Sequence, residues 1–218
     1  MSCGAGTTFP CGCVMYLSNQ VFLAAEDRLG LSFGYRLLRE QPSLQVWREL
    51  DGGGYGSLRR DIRKYNEMAR NGLPVLMLTD LDTRPCCTDL MDSWLGMGQK
   101  PDPNLLLRIC VRESESWLLA HPEPLARLFK LSVSKFPAHP EFLTDPKAEL
   151  LRLASRASSK IRKALLPVEG SSAKVGIEYN DIICPLVRSE WDIDKASHHA
   201  PSLVKARNRI RELALRVS

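Results

Sequence analysis

The sequence predicts an α/β fold: a parallel-rich sheet flanked by helices, with a mostly helical C-terminal extension. Over the first half of the chain, short apolar runs alternate with amphipathic stretches at helical spacing. Such alternation is typical of parallel strands joined by right-handed crossovers. After about residue 121 the chain is rich in proline and then becomes helical in its periodicity, which predicts the extension.

Composition places the chain among ordinary globular proteins. Its 218 residues are 44% hydrophobic and 25% charged, with a formal net charge of +5, which excludes the disordered and fibrous classes. It has no apolar run of about eighteen residues and no secretory signal, so we expect no membrane contact and a cytoplasmic location. The seven cysteines are an odd number and lack C-x-x-C spacing, which favours reduced thiols over disulfides or a zinc site at Cys3, Cys11, Cys13, Cys86 and Cys87.

The first predicted elements are an arm, a strand, a helix and a second strand. Residues 1–19 carry glycine and proline without periodicity, which predicts a flexible N-terminal arm. The apolar run 21–25 ends abruptly at Glu26, as expected of a strand buried on both faces. Apolar residues at helical spacing follow over 29–40, and residues 43–50 alternate as a second strand does.

The next elements repeat this alternation. A glycine-rich loop leads into a basic amphipathic helix over 57–70, and a buried strand over 75–79 runs into Asp80. A short helix over 88–95 and a fourth strand over 105–111 follow. We therefore expect one core over 20–125, made of a sheet and its helices.

The remainder is predicted to be a helical extension over 126–218 that packs on this core. Its clearest helical segments are 147–157 and 200–216. The sequence shows neither an internal repeat nor a long linker, which argues against an independent second domain.

Carboxylates follow three of the four predicted strands. Glu26 ends the first strand, Asp80 and Asp82 end the third, and Glu113 and Glu115 follow the fourth. In parallel sheets ligands bind beyond the carboxyl ends of the strands, so these acids are expected to converge at one edge. The two aspartates lie two residues apart, and the strand period of two predicts that they point the same way.

Converging carboxylates are costly unless a cation lies between them. Oxygen ligands suit Mg²⁺ or Mn²⁺ better than zinc. A cation held there polarises a phosphoryl oxygen and lowers the pKa of a bound water, so phosphodiester cleavage is the expected reaction. An Asp-x-Asp pair by itself more often lies at a solvated strand end. The additional acids Glu26, Glu113 and Glu115 after other strands favour a metal site in this sequence.

The order of these motifs resembles the Toprim domain of topoisomerases, primases and OLD-family nucleases. The core likeness lies in Leu23-Ala24-Ala25-Glu26-Asp27 and in Leu78-Thr79-Asp80-Leu81-Asp82. The chain is more closely similar to small Toprim-like proteins that are often encoded beside an ABC-type ATPase and associated with bacterial antiphage defence. The features shared with that group are Gly52-Gly53-Gly54 before the basic helix, Val111-Arg112-Glu113-Ser114-Glu115-Ser116-Trp117-Leu118-Leu119-Ala120, Asp145-Pro146-Lys147, Trp191 and Ser202-Leu203.

The resemblance implies that residues 20–125 are a Toprim-like catalytic core with a role for each matching acid. Glu26 would be a metal ligand or general base, Asp80 and Asp82 would be metal ligands, and one of Glu113 and Glu115 would complete the ligand set, with Glu115 preferred. It further implies an ATPase partner that holds a nuclease inactive until infection is sensed. The chain departs from the commonest Toprim pattern, because Asp27 stands where a glycine often follows the glutamate.

Several other residues have both a functional and a structural interpretation. Lys147 would stabilise charge developing on a phosphate, or would simply follow a helix start made by Asp145 and Pro146, which we favour slightly. Arg112 would clamp phosphate or neutralise the neighbouring acids. Adjacent His198 and His199 are expected to be exposed. Trp117 and Trp191 are expected to anchor the core.

Basic side chains crowd two segments and predict contacts with nucleic acid, either DNA or RNA. For each cluster alone, a solvated helix face is the commoner explanation. The sequence leaves the oligomeric state open, a homo-oligomer included. The residues concerned are Arg59, Arg60, Arg63, Lys64 and Arg70 in the first cluster, with Arg112 beside the acids, and Lys205, Arg207, Arg209, Arg211 and Arg216 in the second.

The expected function is therefore a divalent-metal-dependent nuclease. Two alternatives belong to other classes: a non-catalytic Toprim-like binding or regulatory subunit, and a phosphotransferase-like enzyme acting on a small phosphorylated substrate. Absence of metal binding would favour the first, and a substrate screen separates the second.

Overall fold

A computed structural model describes residues 7–8, 14–15, 17–51 and 53–217. The strands are β1 Thr7–Thr8, β2 Val14–Met15, β3 Gln20–Ala25, β4 Gln45–Asp51, β5 Val75–Asp80 and β6 Leu105–Cys110. The helices are α1 Arg28–Leu38, α2 Tyr55–Arg70, α3 Cys87–Leu95, α4 Ser114–Leu119, α5 Glu123–Phe129, α6 Pro146–Ala154, α7 Ser159–Leu165, α8 Tyr179–Ser189, α9 Ile193–Ser197 and α10 Pro201–Val217. Two short 3-10 helices, Val133–Lys135 and Pro140–Phe142, precede α6.

The main sheet confirms the predicted α/β fold. Strands β3 to β6 are parallel and lie in the order β4-β3-β5-β6. The chain therefore passes from β3 outward to β4 and then crosses back over β3 to reach β5. The strand order reverses between β3 and β5, and the crevice beyond their carboxyl ends is the place where such sheets bind ligands.

The two central strands are buried on both faces because a helix covers each face. On one face, Gly34 of α1 lies so close to Leu23 that an added Cβ would overlap the leucine side chain. On the other face, the ring of Phe22 lies 5.6 Å from the ring of Tyr65 in α2. Successive strand side chains point to opposite faces, so α1 and α2 cover opposite sides of β3.

The chain folds into two compact units. The first unit comprises Met1–Ile109 and Lys205–Ser218, and the second comprises Cys110–Val204. The predicted division into 1–19, 20–125 and 126–218 differs from these units at two places: residues 110–125 lie in the second unit, and residues 205–218 lie in the first. Within the predicted arm, the described strands β1 and β2 pair with each other in antiparallel orientation.

A bidentate ion pair joins the end of the chain to the rest of the first unit. The guanidinium of Arg207 in α10 donates from Nε to Glu40 Oε2 at 2.7 Å and from Nη2 to Glu40 Oε1 at 2.5 Å. Both side chains are mostly buried, and bidentate geometry makes such pairs comparatively strong. The pair lies just beyond the end of α1 and positions the last helix within this unit.

Two tryptophans form the core of the second unit, which confirms their predicted role. Trp117 and Trp191 are 0% and 1% exposed. Trp191 Nε1 donates to the Trp117 carbonyl at 2.9 Å, and Trp117 Nε1 donates to Ser202 Oγ at 2.7 Å. Ser202 Oγ in turn donates to Glu141 Oε1 at 2.5 Å. Each buried indole N–H therefore has an acceptor, as burial of a polar group requires.

Candidate active site

Glu26 joins the ends of the two central strands. It follows β3 directly, and its Oε1 accepts a hydrogen bond from the Thr79 hydroxyl and another from the Asp80 backbone N–H, the latter at 3.2 Å. Its own carbonyl accepts a hydrogen bond from Gly54 N at 2.9 Å. The glutamate is thus fixed between the carboxyl end of β5 and the loop that begins α2, beside the switch point of the sheet.

Asp27 has a local structural role at the start of α1. Its Oδ1 accepts a hydrogen bond from Gly30 N at 2.8 Å and so caps the start of α1. Gly30 is needed there because an added Cβ would lie 2.9 Å from Ala25 Cβ. The turn after β3 is therefore made by an aspartate cap with extended backbone, φ −146°, and the position needs no glycine.

The sequence pattern predicted that strand alternation would point Asp80 and Asp82 the same way, and the structure does not follow this prediction. Strand β5 ends at Asp80, whereas Asp82 lies in the following turn with φ 52°, in the left-handed region. Aspartate and asparagine are among the few non-glycine residues that adopt this conformation readily. The two-residue strand period therefore stops at Asp80, and the turn sets the direction of the exposed Asp82 side chain.

The pKa of Glu26 is raised above its ordinary value. Burial of the carboxyl is the main cause, and the negative charges of Asp82 and Asp27 add to it, while the hydrogen bonds from Thr79 and Asp80 act in the opposite direction. Asp82 is thus close enough to act on Glu26 electrostatically. Carboxylates held together in this way favour a positive charge nearby.

Tyr55 connects the start of α2 to the loop that follows β5, a contact that sequence reasoning missed. Its hydroxyl accepts hydrogen bonds from Arg84 Nη2 at 2.8 Å and from Trp94 Nε1 at 2.9 Å. The Tyr55 and Trp94 rings meet edge to face at 5.2 Å between centroids. Nothing in the spacing of these residues indicated the contact, because it depends on α2 and α3 packing together.

The other predicted acids belong to the second unit and have partners there. Glu115 is 0% exposed; its Oε1 accepts a hydrogen bond from the Tyr179 hydroxyl at 2.9 Å and lies 3.5 Å from Lys147 Nζ. Glu113 Oε2 accepts a hydrogen bond from the Lys147 backbone N–H at 2.9 Å. Helix α4 begins at Ser114, directly after Glu113. The choice between Glu113 and Glu115 as a ligand stays a prediction.

Lys147 lies in the first turn of α6, which is the structural role that was favoured for it, and its action on a phosphate stays a prediction. The Asp145 side chain accepts from Ala148 N at 2.7 Å and Pro146 is the first residue of α6, so the predicted helix start is confirmed. The side chain of Lys147 meanwhile turns to the buried Glu115. Arg112 is half-buried and lies in the segment that joins β6 to α4.

The basic clusters differ in how many of their side chains already have partners. In the C-terminal cluster Arg207 pairs with Glu40, Arg209 pairs with Glu212, and Arg216 Nη2 donates to the Pro103 carbonyl at 3.1 Å. This cluster therefore contributes largely to internal contacts.

On α2 the predicted amphipathic helix is confirmed, and its basic side chains lie on the exposed face. The exposed basic residues are Arg59, Arg60, Arg63, Lys64 and Arg70. The opposite face of the helix is buried and carries Leu58, Ile62, Tyr65 and Ala69.

Within the described residues, no group of three or more His, Cys, Asp and Glu side chains is arranged to hold a metal ion. The cysteines Cys3, Cys11 and Cys13 lie outside the described residues, as does Gly52 of the glycine-rich loop. Cys86 is exposed and its Sγ accepts from Asp89 N at 3.5 Å, which caps α3. His198 and His199 are exposed, as predicted.

The fold and this edge define an α/β protein with a four-stranded parallel sheet and an acidic switch point. Comparison of the chain with family models, curated proteins and solved structures gives no match. Across the described part of the chain, no helix combines the length and apolar character that crossing a membrane requires.

Proposed function

We propose that the protein is a divalent-metal-dependent nuclease that hydrolyses phosphodiester bonds at the carboxyl edge of β3 and β5. One observation carries the proposal: Glu26 from β3 reaches the end of β5 at the switch point and accepts a hydrogen bond from the Asp80 backbone N–H, two residues before Asp82. The carboxylate of Glu26 thus lies at the end of β5, at the edge where α/β sheets bind their ligands, and Asp80 and Asp82 belong to the same chain segment.

The ligand types at this edge suit a hard cation, although the side chains of the described residues are not grouped there as a formed metal site. Glu26, Asp80 and Asp82 offer carboxylate oxygens, which Mg²⁺ and Mn²⁺ prefer over the nitrogen and sulfur ligands typical of zinc. When bound, such a cation supplies Lewis-acid polarisation of a phosphoryl oxygen and a water of lowered pKa. These three acids are the residues that we propose to hold it.

The protein groups around the acids provide positioning. Thr79 and the Asp80 N–H hold one oxygen of Glu26, which directs the other oxygen of the carboxylate away from them. A glutamate whose pKa is raised by burial is better suited to accept a proton than an ordinary exposed carboxylate. Glu26 is therefore the proposed general base, or a ligand if the cation binds it directly.

A polymer is the proposed substrate because α2 begins at the same edge and exposes a row of basic side chains. Gly54, which precedes Tyr55 at the helix start, bonds to the Glu26 carbonyl. Arginine and lysine side chains on an exposed helix face neutralise phosphates along a nucleic-acid strand. The likeness to Toprim-like defence proteins adds to the proposal an ABC-type ATPase partner that restrains the nuclease until infection.

Cleavage of plasmid DNA and total RNA tests the proposal, with Mg²⁺ or Mn²⁺ and with EDTA. We expect wild-type cleavage that EDTA abolishes and that Asp80→Asn with Asp82→Asn reduces at least about a hundredfold, as loss of a charge-stabilising group does. Asparagine is chosen because it tolerates the left-handed backbone of Asp82, where alanine would add strain. Glu26→Gln is paired with the charge-matched control Glu169→Gln, an exposed position in the second unit.

Three outcomes would overturn the proposal. Undiminished cleavage in EDTA or in the asparagine variant would remove metal chemistry from this edge. If the wild type cleaves neither polymer, with or without a co-encoded ATPase, the result would favour a non-catalytic subunit. Phosphate release from small phosphorylated compounds without cleavage of either polymer would favour the phosphotransferase-like alternative.

A further inference from the structure

A groove in the first unit lies between α2 and the segment that ends α3. Its volume is about 350 Å³. Three cationic side chains line it, Arg63, Arg70 and Lys100, against the single carboxylate of Glu67. Trp94 lies in its wall with its Nε1 already bonded to Tyr55, so the ring contributes packing surface.

The three cations of this groove are available for an anion. All three are exposed, and no hydrogen bond or ion pair with another described residue engages their side chains. By contrast, Arg59 Nη2 donates to the Ser93 carbonyl at 3.2 Å and Arg60 Nε lies 3.4 Å from Asp61 Oδ1. Exposed guanidinium and ammonium groups close together repel each other and gain from a shared anionic ligand.

The groove is separate from the acidic edge, at the other end of α2. The helix begins beside Glu26, where Gly54 N bonds to the glutamate carbonyl. Arg63 and Arg70 lie nine and sixteen positions after Gly54, which at a rise of about 1.5 Å per residue is about 14 to 24 Å along the helix axis. At about 3.4 Å per nucleotide, the rise of a stacked strand, this distance is about four to seven nucleotides.

We propose that this groove is a phosphate-backbone subsite for a nucleic-acid strand whose scissile bond lies at the acidic edge. The proposal rests on the nuclease function proposed above and adds a minimum substrate length to it. A strand of about three nucleotides reaches one site only, whereas a strand of about ten or more reaches both. Arg63 and Arg70 lie seven positions apart, which places them on one face of α2, and this helix runs from the acidic edge to the groove.

Binding is measured separately from cleavage, so that the two proposals fail separately. The probe is a fluorescein-labelled single strand of about twenty nucleotides, in DNA and RNA forms, titrated with the full chain carrying Asp80→Asn and Asp82→Asn in EDTA. Into this background we place Arg63→Ala, Arg70→Ala and Lys100→Ala together. The charge-matched control carries Lys160→Ala, Lys163→Ala and Arg156→Ala, exposed positions of the second unit.

We expect the groove variant to lose at least about tenfold in affinity. The slope of log affinity against log salt should fall by about 2, because each lost contact to a single strand removes about 0.7. The control variant should keep its affinity and its salt slope within about twofold of the parent's values. A strand of about three nucleotides should bind equally weakly to parent and groove variant.

Equal affinity in the groove variant and its parent, or an equal loss in the control, would overturn the subsite while leaving metal-dependent cleavage intact. Groove-dependent binding without any cleavage by the wild type would keep the subsite and overturn the nuclease. Preference for the DNA or the RNA strand identifies the polymer. Tight binding of inorganic phosphate alone, with no gain from the longer strand, would also overturn the minimum-length claim.

Discussion

The buried cluster of the second unit offers the sharpest stability prediction. Lys147 Nζ lies 3.5 Å from Glu115 Oε1 and 4.0 Å from Glu113 Oε1. The side chain of Glu115 is 1% exposed, whereas that of Lys147 is 24% exposed. Replacing Lys147 with methionine keeps the aliphatic stem and removes the charge, so the buried carboxylate loses its cationic partner.

The expected cost follows from that geometry. At an effective dielectric constant of about 20, unit charges at this separation attract each other by about 4 to 5 kcal/mol. Removing one partner of a buried pair typically costs about 3 to 5 kcal/mol. Lys147 is partly hydrated and the Tyr179 hydroxyl still donates to Glu115, so we expect a loss of about 2 to 4 kcal/mol in the free energy of unfolding.

Urea denaturation followed by tryptophan fluorescence measures this loss, since Trp117 and Trp191 are buried in the same unit. The matched control is Arg152→Ala, which breaks an ion pair with Glu149 whose arginine is 54% exposed and should cost less than about 1 kcal/mol. Combining Lys147→Met with Glu115→Gln should recover part of the loss, because the buried negative charge that the ammonium group attracted is then removed as well. A Lys147→Met cost no larger than that of the control, or simple additivity in the double variant, would refute the reasoning.

Three further predictions concern local packing, a helix cap and pH. Gly34→Ala should lower the free energy of unfolding, measured by urea denaturation, by about 1 to 3 kcal/mol because the added Cβ has no space against the sheet. Gly56→Ala has open space around its Cβ and should raise the free energy of unfolding by about 0.4 to 1 kcal/mol. Equal effects of the two substitutions would contradict this packing. Asp27→Ala should cost about 1 kcal/mol through loss of the α1 cap, and an unchanged denaturation midpoint would show that the cap contributes nothing. Burial lowers the pKa of His121. Its Nδ1 accepts a hydrogen bond from the Asp192 backbone N–H and must stay unprotonated to do so. The unfolded chain therefore binds the proton more readily than the folded chain, and the free energy of unfolding should fall as pH drops below about 6.5. His121→Gln should flatten that pH dependence, and a profile identical to that of the wild type would exclude His121 as its source.

The strands, and the position of Glu26 at the end of β3, were predictable because local patterns determine them. The apolar runs predicted at 21–25 and 75–79 correspond to β3 and β5, which are buried by helices on both faces. A run of that kind can be recognised without knowledge of its neighbours. The meeting of Glu26 and Asp80 follows once both strands are parallel and adjacent.

The turn after β5 was not predictable from the strand pattern. Alternation was expected to continue to Asp82, but the backbone leaves the sheet at Asp80 and becomes left-handed at Asp82. Nothing in the sequence marks where the hydrogen-bonded ladder ends, because the last pairing depends on the length of the neighbouring strand.

Contacts between distant segments could not be found from sequence either. Arg207 and Glu40 are far apart in the chain, and so are Tyr179 and Glu115. Each pair forms only after helices have packed, so no spacing rule relates the two residues. For this reason the last helix was assigned wholly to the extension, and Lys147 was weighed as a helix start before its charge partner was known.

Calorimetric titration of the full chain with Mn²⁺ tests the central claim, that the acids at the β3 and β5 edge form a cation site. The account predicts saturable binding by the wild type and by Glu169→Gln, and an affinity at least about tenfold lower when Asp80→Asn and Asp82→Asn are combined, since two anionic oxygen ligands are lost. Binding of equal strength in the wild type and the asparagine variant, or no binding by the wild type, would contradict it.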